Sequence, residues 1–417
     1  MLKIASGNLH KKVVILFIII SSVFSPVVSA DSGEAGSGET GGEVMLKMLP
    51  GLVRMRILTG DLTYGDWLFS AGLYAEGHQH QPGELVVEPD SLTATYRRGL
   101  QQFRVGYFRP AWGTEEFSSV MLSGEAPALP GISYETSFWG NYSYQRFGMH
   151  FPGGRGDFFG HRLEIMPAEN FCLGLKETVI YTEDFPGYWL NGVPFWPYYL
   201  LKYIPGTPSD AENMNVGIDV HWTGIENTEL YGDLHVTEWP LRPESTQPRV
   251  YGLKLGLLRD DFYRDDLTFR LEYQRLMNYL YSASVAGQNY QYGDFPLGSI
   301  KGPDFEEIDA GLRYSVSSRL SLAGGLKLGR KGKGEVGDYW DTEDDDGVGS
   351  MEEAHNNMFL TGVVEERLAP RAGFCYRPQP GVEIELELEV EFVDNYKHEQ
   401  GQSGTRTRGL LMISQEF

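Results

Sequence analysis

The densest group of aromatic side chains in the sequence lies in a proline-interrupted segment at 185–203. Aromatic rings stack against the apolar C–H faces of sugars while nearby polar groups pair with the hydroxyls, so this composition suits a glycan ligand. The rings could instead be buried as a plug, and this alternative is favoured because so much apolar surface is rarely left exposed. Both arrangements obstruct a pore. The candidate polysaccharide-binding residues are Tyr188, Trp189, Phe195, Trp196, Tyr198 and Tyr199.

A strand with one charged face is the second candidate. From Val382 to Phe392, apolar residues alternate with five glutamates, which places all five carboxylates on one face of a strand. Like charges on one face repel, so cationic neighbours are expected on adjacent strands. If the last strand and the strand at 51–58 lie beside the acidic strand, their arginines complete a charge ladder facing a lumen. The predicted ladder contains Arg54, Arg56, Glu383, Glu385, Glu387, Glu389, Arg406 and Arg408. The alternative is that these charges only brace the wall.

Other chemistry has little support in the sequence. The acidic run at 341–347 lacks the alternating ligands and the distal Glu of a calcium loop, so a solvated loop tip is favoured over loose divalent binding. His161, His221 and His235 are not joined by a recognisable nucleophile motif, and neither Gly-x-Ser-x-Gly nor His-Glu-x-x-His occurs. The sequence therefore predicts a protein that is not an enzyme, with no cofactor and no metal site.

The elements that must position these residues are strands with alternating apolar and polar residues. Seventeen such strands are predicted after residue 50, with short turns at one end and longer segments at 110–130, 182–212, 278–304 and 331–366. This pattern is typical of an all-β transmembrane antiparallel barrel of 16 to 18 strands, with short periplasmic turns and long extracellular loops. A chain with both ends in the periplasm needs an even number, so one strand is either missing from this set or wrongly included in it, with 43–50 and 353–366 the regions in question.

The chain begins with the features of a secretory leader. A basic start, an apolar run at 13–24 and small residues at 28–30 predict a cleaved signal peptide over 1–30. Residues 31–43 are rich in Gly and Glu and predict a flexible lead-in, so the barrel is expected over 44–417, ending on Phe417 in an outer membrane. The formal net charge of −22 argues against a nucleic-acid partner.

Four groups of segments, in order along the chain, resemble the Wzi-like capsule assembly proteins. The first is 121–127 (Met-Leu-Ser-Gly-Glu-Ala-Pro) with Pro130 and Gly131. The others are 159–164 with 175–181, then 230–234 with 251–257, and finally 271–276 with Tyr279, Tyr281, 296–298 and 302–304. The resemblance implies an occluded barrel, with 18 strands favoured, that acts as a lectin for capsular polysaccharide. Better-known members carry a periplasmic helical segment, whereas only 31–43 precedes the predicted barrel here.

The predicted barrel and the resemblance together indicate the expected partners, and one alternative function remains. Expected partners are surface or capsular polysaccharide, outer-membrane lipids and lipopolysaccharide, and the barrel assembly machinery. The expected role is non-enzymatic assembly, binding and attachment of surface polysaccharide. A porin-like channel for small solutes is the alternative, because porins also line their lumen with charged side chains.

Overall fold

The structure is a computed structural model that describes residues 40–49, 52–78, 85–153, 156–182, 195, 197–198, 212–238, 249–283, 286–338 and 358–416. At 40–49, 52–63, 73–78, 85–90, 212 and 415–416 it describes the backbone alone. The predicted leader, residues 31–39 of the predicted lead-in, the acidic run at 341–347 and Phe417 lie outside the described residues.

Eighteen antiparallel strands of the described chain close into one barrel, which confirms the predicted fold class and the favoured strand number. They are β1 Thr40–Leu49, β2 Leu52–Tyr64, β3 Trp67–His78, β4 Leu85–Arg98, β5 Gln101–Phe108, β8 Leu129–Phe138, β9 Tyr142–His150, β10 Asp157–Ala168, β11 Phe171–Tyr181, β12 Glu212–Ile225, β13 Thr228–Glu238, β14 Val250–Arg259, β15 Leu267–Leu276, β18 Phe305–Ser317, β19 Leu320–Lys331, β20 Glu365–Gln379, β21 Val382–Asp394 and β22 Ser403–Glu416.

Two small hairpins lie in the connections between barrel strands. One pairs β6 Ala111–Gly113 with β7 Ser118–Ser123, and the other pairs β16 Gln291–Tyr292 with β17 Phe295–Pro296. Short 3-10 turns occur at Ala286–Gln288 and Tyr396–His398.

No helix in the part of the chain that the structure describes is long and apolar enough to cross a membrane.

The barrel closes between β1 and the last strand, β22, where Val44 lies opposite Gln415 and Met48 lies opposite Leu411. β1 is the strand missing from the predicted set near 43–50, and it begins at Thr40, inside the predicted lead-in. β1 therefore separates β22 from the strand of Arg54 and Arg56, which corrects the predicted direct contact between those two strands. The glycines at 41 and 42 interrupt the alternation at the start of β1, and this hides the strand in the sequence.

The connections differ at the two ends of the barrel. At one end lie tight turns such as those at 99–100, 169–170 and 226–227, while the opposite end carries the connections at 109–128, 182–211 and 277–304. Outer-membrane barrels have short turns on the periplasmic side and long loops outside. The long-connection end is therefore the extracellular end.

The two faces of the wall have opposite chemistry. On β21, Leu388 and Phe392 are 52% and 47% exposed on the outer face, whereas Glu389 and Glu391 are buried on the inner face. Alternation of this kind places apolar residues against lipid and polar residues in the lumen. The principal buried apolar cluster, which includes Val120, Leu122 and Tyr281, lies inside the barrel near its extracellular end.

Candidate functional site

Residues 109–128 fold into the lumen and form the first half of a plug. Asp233, buried on the inner face of β13, accepts hydrogen bonds from the Ser119 hydroxyl at 2.6 Å and from the Val120 amide at 2.7 Å. The Phe117 ring stacks on Tyr231 with centroids 5.6 Å apart, and the Arg270 guanidinium lies 5.1 Å from the centroid of the Phe117 ring. These contacts tie the hairpin of β6 and β7 to the wall.

Residues 277–283 and 286–304 form the second half of the plug and contact the first. The Tyr281 hydroxyl donates to the Val120 carbonyl at 2.6 Å and accepts from the Ser299 amide at 3.0 Å. The Ser123 hydroxyl donates to the Gly298 carbonyl at 2.5 Å. Val120 and Tyr281 are fully buried, so the two halves of the plug pack as one body across the lumen.

Asp304 ties the base of this plug to both ends of the connection between β19 and β20. Its buried carboxylate accepts hydrogen bonds from the Gly334 and Thr361 amides, both at 3.0 Å, and from the Thr361 hydroxyl at 2.6 Å. Asp304 has a φ of 57° and follows the Gly-Pro pair of the fourth resemblance segment. That sequence signature therefore marks a loop tether in this chain.

A network of buried charges lines the inner wall beside the plug. Arg162 on β10 and Lys176 on β11 both contact the Asp219 carboxylate of β12, at 2.7 and 3.3 Å. Lys176 also forms an ion pair with Asp233, which holds the plug hairpin. The Asp219, Lys176 and Asp233 side chains are at most 1% exposed. Each carboxylate therefore meets a cation inside the wall, as buried charges require.

The network continues around the lumen towards the closing seam. Arg270 contacts Glu272 at 2.8 Å and Asp309 at 3.7 Å, and Arg371 contacts the same aspartate at 2.7 Å. Beyond these residues, Lys327 contacts Glu389 at 2.6 Å. The inner wall from β10 to β22 is thus braced by cross-strand ion pairs over most of its circumference.

The predicted ladder coincides with one end of this network. Arg408 lies 3.6 Å from Glu389 and 3.5 Å from Glu391, which also receives Arg406 at 3.6 Å. Glu383 instead meets Arg377 of β20 at 2.7 Å, near the periplasmic end. Glu385 and Glu387 border a lumen cavity of about 360 Å³. Arg54 and Arg56 lie on β2, and their side chains are outside the described set.

A second lumen cavity, of about 310 Å³, lies against the opposite wall. Gln102 and Arg104 of β5, Glu135 of β8 and Gln145 of β9 line it, and the Trp112 ring of the plug lies at its upper edge. Both cavities lie on the side of the plug that faces the short turns. The plug thus separates the lumen into a filled extracellular half and a periplasm-facing half with open spaces.

The aromatic segment at 185–203 is described only at Phe195, Pro197 and Tyr198, and these rings pack on the outside of the barrel. Tyr198 is 1% exposed, and its ring stacks on His161 with centroids 4.5 Å apart. The Phe195 ring contacts Tyr144 at 4.1 Å. These positions match neither a lumen plug nor a loop tip free in solvent. The other candidates, Tyr188, Trp189, Trp196 and Tyr199, lie outside the described residues.

A polar cluster on the outer face explains this packing. His161 of β10 contacts Glu177 of β11 at 3.1 Å, and the Tyr198 amide donates to the Glu177 carboxylate at 2.7 Å. Glu177 lies opposite Val216, which is 43% exposed on the lipid-facing side, so this carboxylate also points outward. A charge on that face is costly in a bilayer, and Tyr198 covers this cluster with its ring and its amide.

The sequence analysis did not predict the polar cluster on the outer face or the cavity of about 310 Å³ that Arg104 lines. Arg146, His161 and Glu177 lie within strands whose alternation predicts a wall but does not tell which face meets lipid. A signal was present nonetheless, because Arg162 and Lys176 sit next to His161 and Glu177 in the chain. Two adjacent ionisable residues in one strand must place one charge on each face.

The comparisons with known proteins agree with this architecture. The family model described as capsule assembly protein Wzi matches residues 102–408. The Escherichia coli outer-membrane protein Wzi, a carbohydrate-binding β-barrel involved in group 1 capsule assembly, matches at 12% identity and a TM-score of 0.63, covering 96% of this chain and 87% of that one. Pseudomonas aeruginosa OccD3 (OpdP) matches at 13% identity and a TM-score of 0.53, covering 93% of each chain. No curated protein sequence matches the chain.

Proposed function

Because the chain belongs to the capsule assembly protein Wzi family, we propose that it binds surface polysaccharide and helps to attach it to the cell as a non-enzymatic outer-membrane barrel. The family match over residues 102–408 carries this proposal. Carbohydrate binding by the Escherichia coli protein Wzi, which has the same fold, supports it.

The plug favours binding over conduction. Val120, Leu122 and Tyr281 are fully buried across the lumen, where a porin would hold water. The inner wall still carries many charged side chains, which is the feature that a porin-like channel for small solutes would share. Occlusion by two hydrogen-bonded segments makes such a channel the weaker candidate.

The proposal includes export and partners. A leader at 1–30 would be removed on export, the lead-in at 31–43 would precede the barrel at 44–417, and the assembly machinery would insert the barrel beside lipid and lipopolysaccharide. Of the aromatic segment, Phe195 packs against Phe138 and Tyr144 on the outer face, beside the short turn at 139–141, and Tyr198 is buried. Trp189 and Trp196 remain candidates in the same segment.

Two measurements test the proposal. The first is conductance of the purified protein in planar bilayers, where we expect no steady large openings. The second is capsule retention by cells that carry or lack the gene, where we expect loss of attached polysaccharide in the deletion. Large stable conductance steps together with normal capsule retention would overturn the proposal in favour of the channel. A Trp189→Ala and Trp196→Ala double variant that retains polysaccharide normally would remove those two rings from the site.

A further inference from the structure

The cavity of about 310 Å³ is a built pocket on three adjacent strands rather than a gap between loops. Gln102 of β5, Glu135 of β8 and Gln145 of β9 lie directly opposite one another in the sheet and point into the lumen. Two residues further along these strands towards the plug, Arg104 lies opposite Ser133. Two rows of planar polar side chains therefore form the wall of the pocket, at positions that the strand register fixes.

The pocket is roofed by aromatic rings from the plug and the wall. Trp112 packs against Phe147 with ring centroids 5.9 Å apart, and the Arg104 guanidinium lies 5.5 Å from the Phe108 ring. All three rings border the cavity and are almost fully buried. Rings above and hydrogen-bonding groups beside the space give it one apolar and one polar side.

Three polar side chains of this pocket have no hydrogen-bond or ion-pair partner among the described residues. Within the described chain, the Arg104, Glu135 and Gln145 side chains make no hydrogen bond and no ion pair within 4 Å. Glu135 acts on Arg104 only through the charge between them. By contrast, several inner charges from β10 to β22 are held in cross-strand ion pairs, among them Arg162, Lys176, Lys327 and Arg371.

We propose that this pocket is a binding subsite for one pyranose residue of a polysaccharide. The apolar side of the pocket meets the C–H face of a sugar, and the carboxylate and amide groups beside it meet the hydroxyls. Arg104 would receive an acidic substituent, because a guanidinium pairs with a carboxylate in a planar, two-bond geometry. The subsite rests on the proposed function, since it names a place inside the barrel where that polysaccharide binds.

The pocket also gives the direction of approach. Its roof is the plug at 109–112 and its polar rows run towards the turns at 99–100 and 139–141, so it opens towards the periplasmic end. A sugar therefore reaches it from the periplasmic side of the plug.

The test is a binding titration on the full mature protein in nanodiscs. The probes are oligosaccharides released by mild acid from the capsular polysaccharide of the source cell, together with methyl α-glucopyranoside and glucuronic acid. Glu135→Gln replaces a charge-assisted hydrogen bond to the sugar by a neutral one, and Gln145→Ala removes a hydrogen bond, so we expect each to weaken oligosaccharide binding about tenfold. Arg104→Gln should weaken glucuronic acid binding more than binding of the neutral glucoside. Ser133→Phe, which fills the space without removing those groups, should abolish the binding of both.

Glu387→Gln is the matched control, because Glu387 borders the other lumen cavity and its variant makes the same charge change. Its binding should stay within twofold of the unchanged protein. If the unchanged protein binds oligosaccharide and none of the pocket variants weakens it, the subsite is wrong while the proposed function stands. If the unchanged protein binds none of the probes, the subsite is also wrong. Loss of capsule retention in the gene deletion tests the proposed function independently of both results.

Discussion

Two polar clusters lie back to back on the same pair of strands, and they are buried in different ways. Arg162 and Lys176 point into the lumen and meet aspartates of the wall and the plug hairpin. Their chain neighbours His161 and Glu177 point outward and are covered by the segment around Tyr198. The inner cluster holds three contacts between cations and aspartates, whereas the ion pair described in the outer cluster joins a histidine and a glutamate. The burial of a charge in this wall therefore depends on which connection folds over it.

The difference has an energetic meaning. The inner cluster tethers the plug, so losing one of its charges affects both the wall and the occlusion of the lumen. The outer cluster holds one surface segment, and its loss should leave the lumen unchanged. Substitutions in the inner cluster should thus lower stability and open the lumen, whereas substitutions in the outer cluster should leave conductance unchanged.

Asp233→Ala should have the largest effect. It leaves Lys176 buried without this partner and removes the acceptor for Ser119 and Val120, and breaking a buried pair in this way costs about 3–5 kcal/mol. We expect a lower midpoint in urea unfolding from micelles and new channel openings in planar bilayers. If the variant is less stable but its folded molecules show no rise in conductance, the hairpin does not depend on this tether.

Glu389→Gln should have the next largest effect, at the closing seam. Glu389 is buried and meets Lys327 at 2.6 Å and Arg408 at 3.6 Å, and hydrogen bonds to charged groups contribute about 1.5–3 kcal/mol. Urea unfolding measures the loss. Glu387 on the same face makes no ion pair within the described chain, so Glu387→Gln should change stability much less. Equal losses for both variants would contradict a role for the cross-strand pairs.

Glu177→Leu tests the outer cluster. The loss of the Tyr198 amide contact is partly offset by placing an apolar side chain on the lipid-facing side, so we expect a net cost of about 1 kcal/mol. Limited proteolysis within 185–203 should speed up while conductance stays absent. Leu175→Ala on the same face, away from the Tyr198 contact, is the control and should leave cleavage unchanged. Equal protection in both variants would mean that Glu177 does not hold the segment.

Arg377→Ala should have the smallest effect. The Arg377 side chain is 59% exposed, and its contact with Glu383 lies at the wet periplasmic end of the wall. Exposed ion pairs contribute about 0.2–1 kcal/mol and are weakened by salt. A loss in urea unfolding as large as that of Glu389→Gln would erase the distinction between exposed and buried parts of the inner wall.

The sequence predicts most of the wall because alternation is a local property of each strand. Val382–Phe392 reveals its two faces directly, and in the structure Arg406 and Arg408 contact Glu391 and Glu389 of that strand. The resemblance segments predicted an occluded barrel, and segments 121–127 and 296–304 lie in the plug. The family match over residues 102–408 confirms the family, and the eighteen paired strands confirm the barrel fold.

The parts that escaped prediction depend on contacts between distant residues. The plug hairpin carries few aromatic residues, so the segment at 185–203 drew attention instead, although Phe195 and Tyr198 lie outside the wall. The pocket around Arg104 arises only when β5, β8 and β9 are aligned in register, and no spacing within one strand encodes it. Tertiary register, unlike alternation, cannot be deduced from one segment at a time.

Because β1 pairs with β22, the barrel does not depend on where the chain begins and ends. Each strand of the described barrel has two hydrogen-bonded neighbours, so first and last are properties of the chain and not of the wall. Glu43 lies opposite Glu416, which places the beginning of β1 beside the end of β22. A circularly permuted chain, with a short linker across that gap and new ends in the turn at 226–227, would keep all eighteen strand pairings. We expect such a permutant to assemble into the same barrel, with its seam moved to β12 and β13.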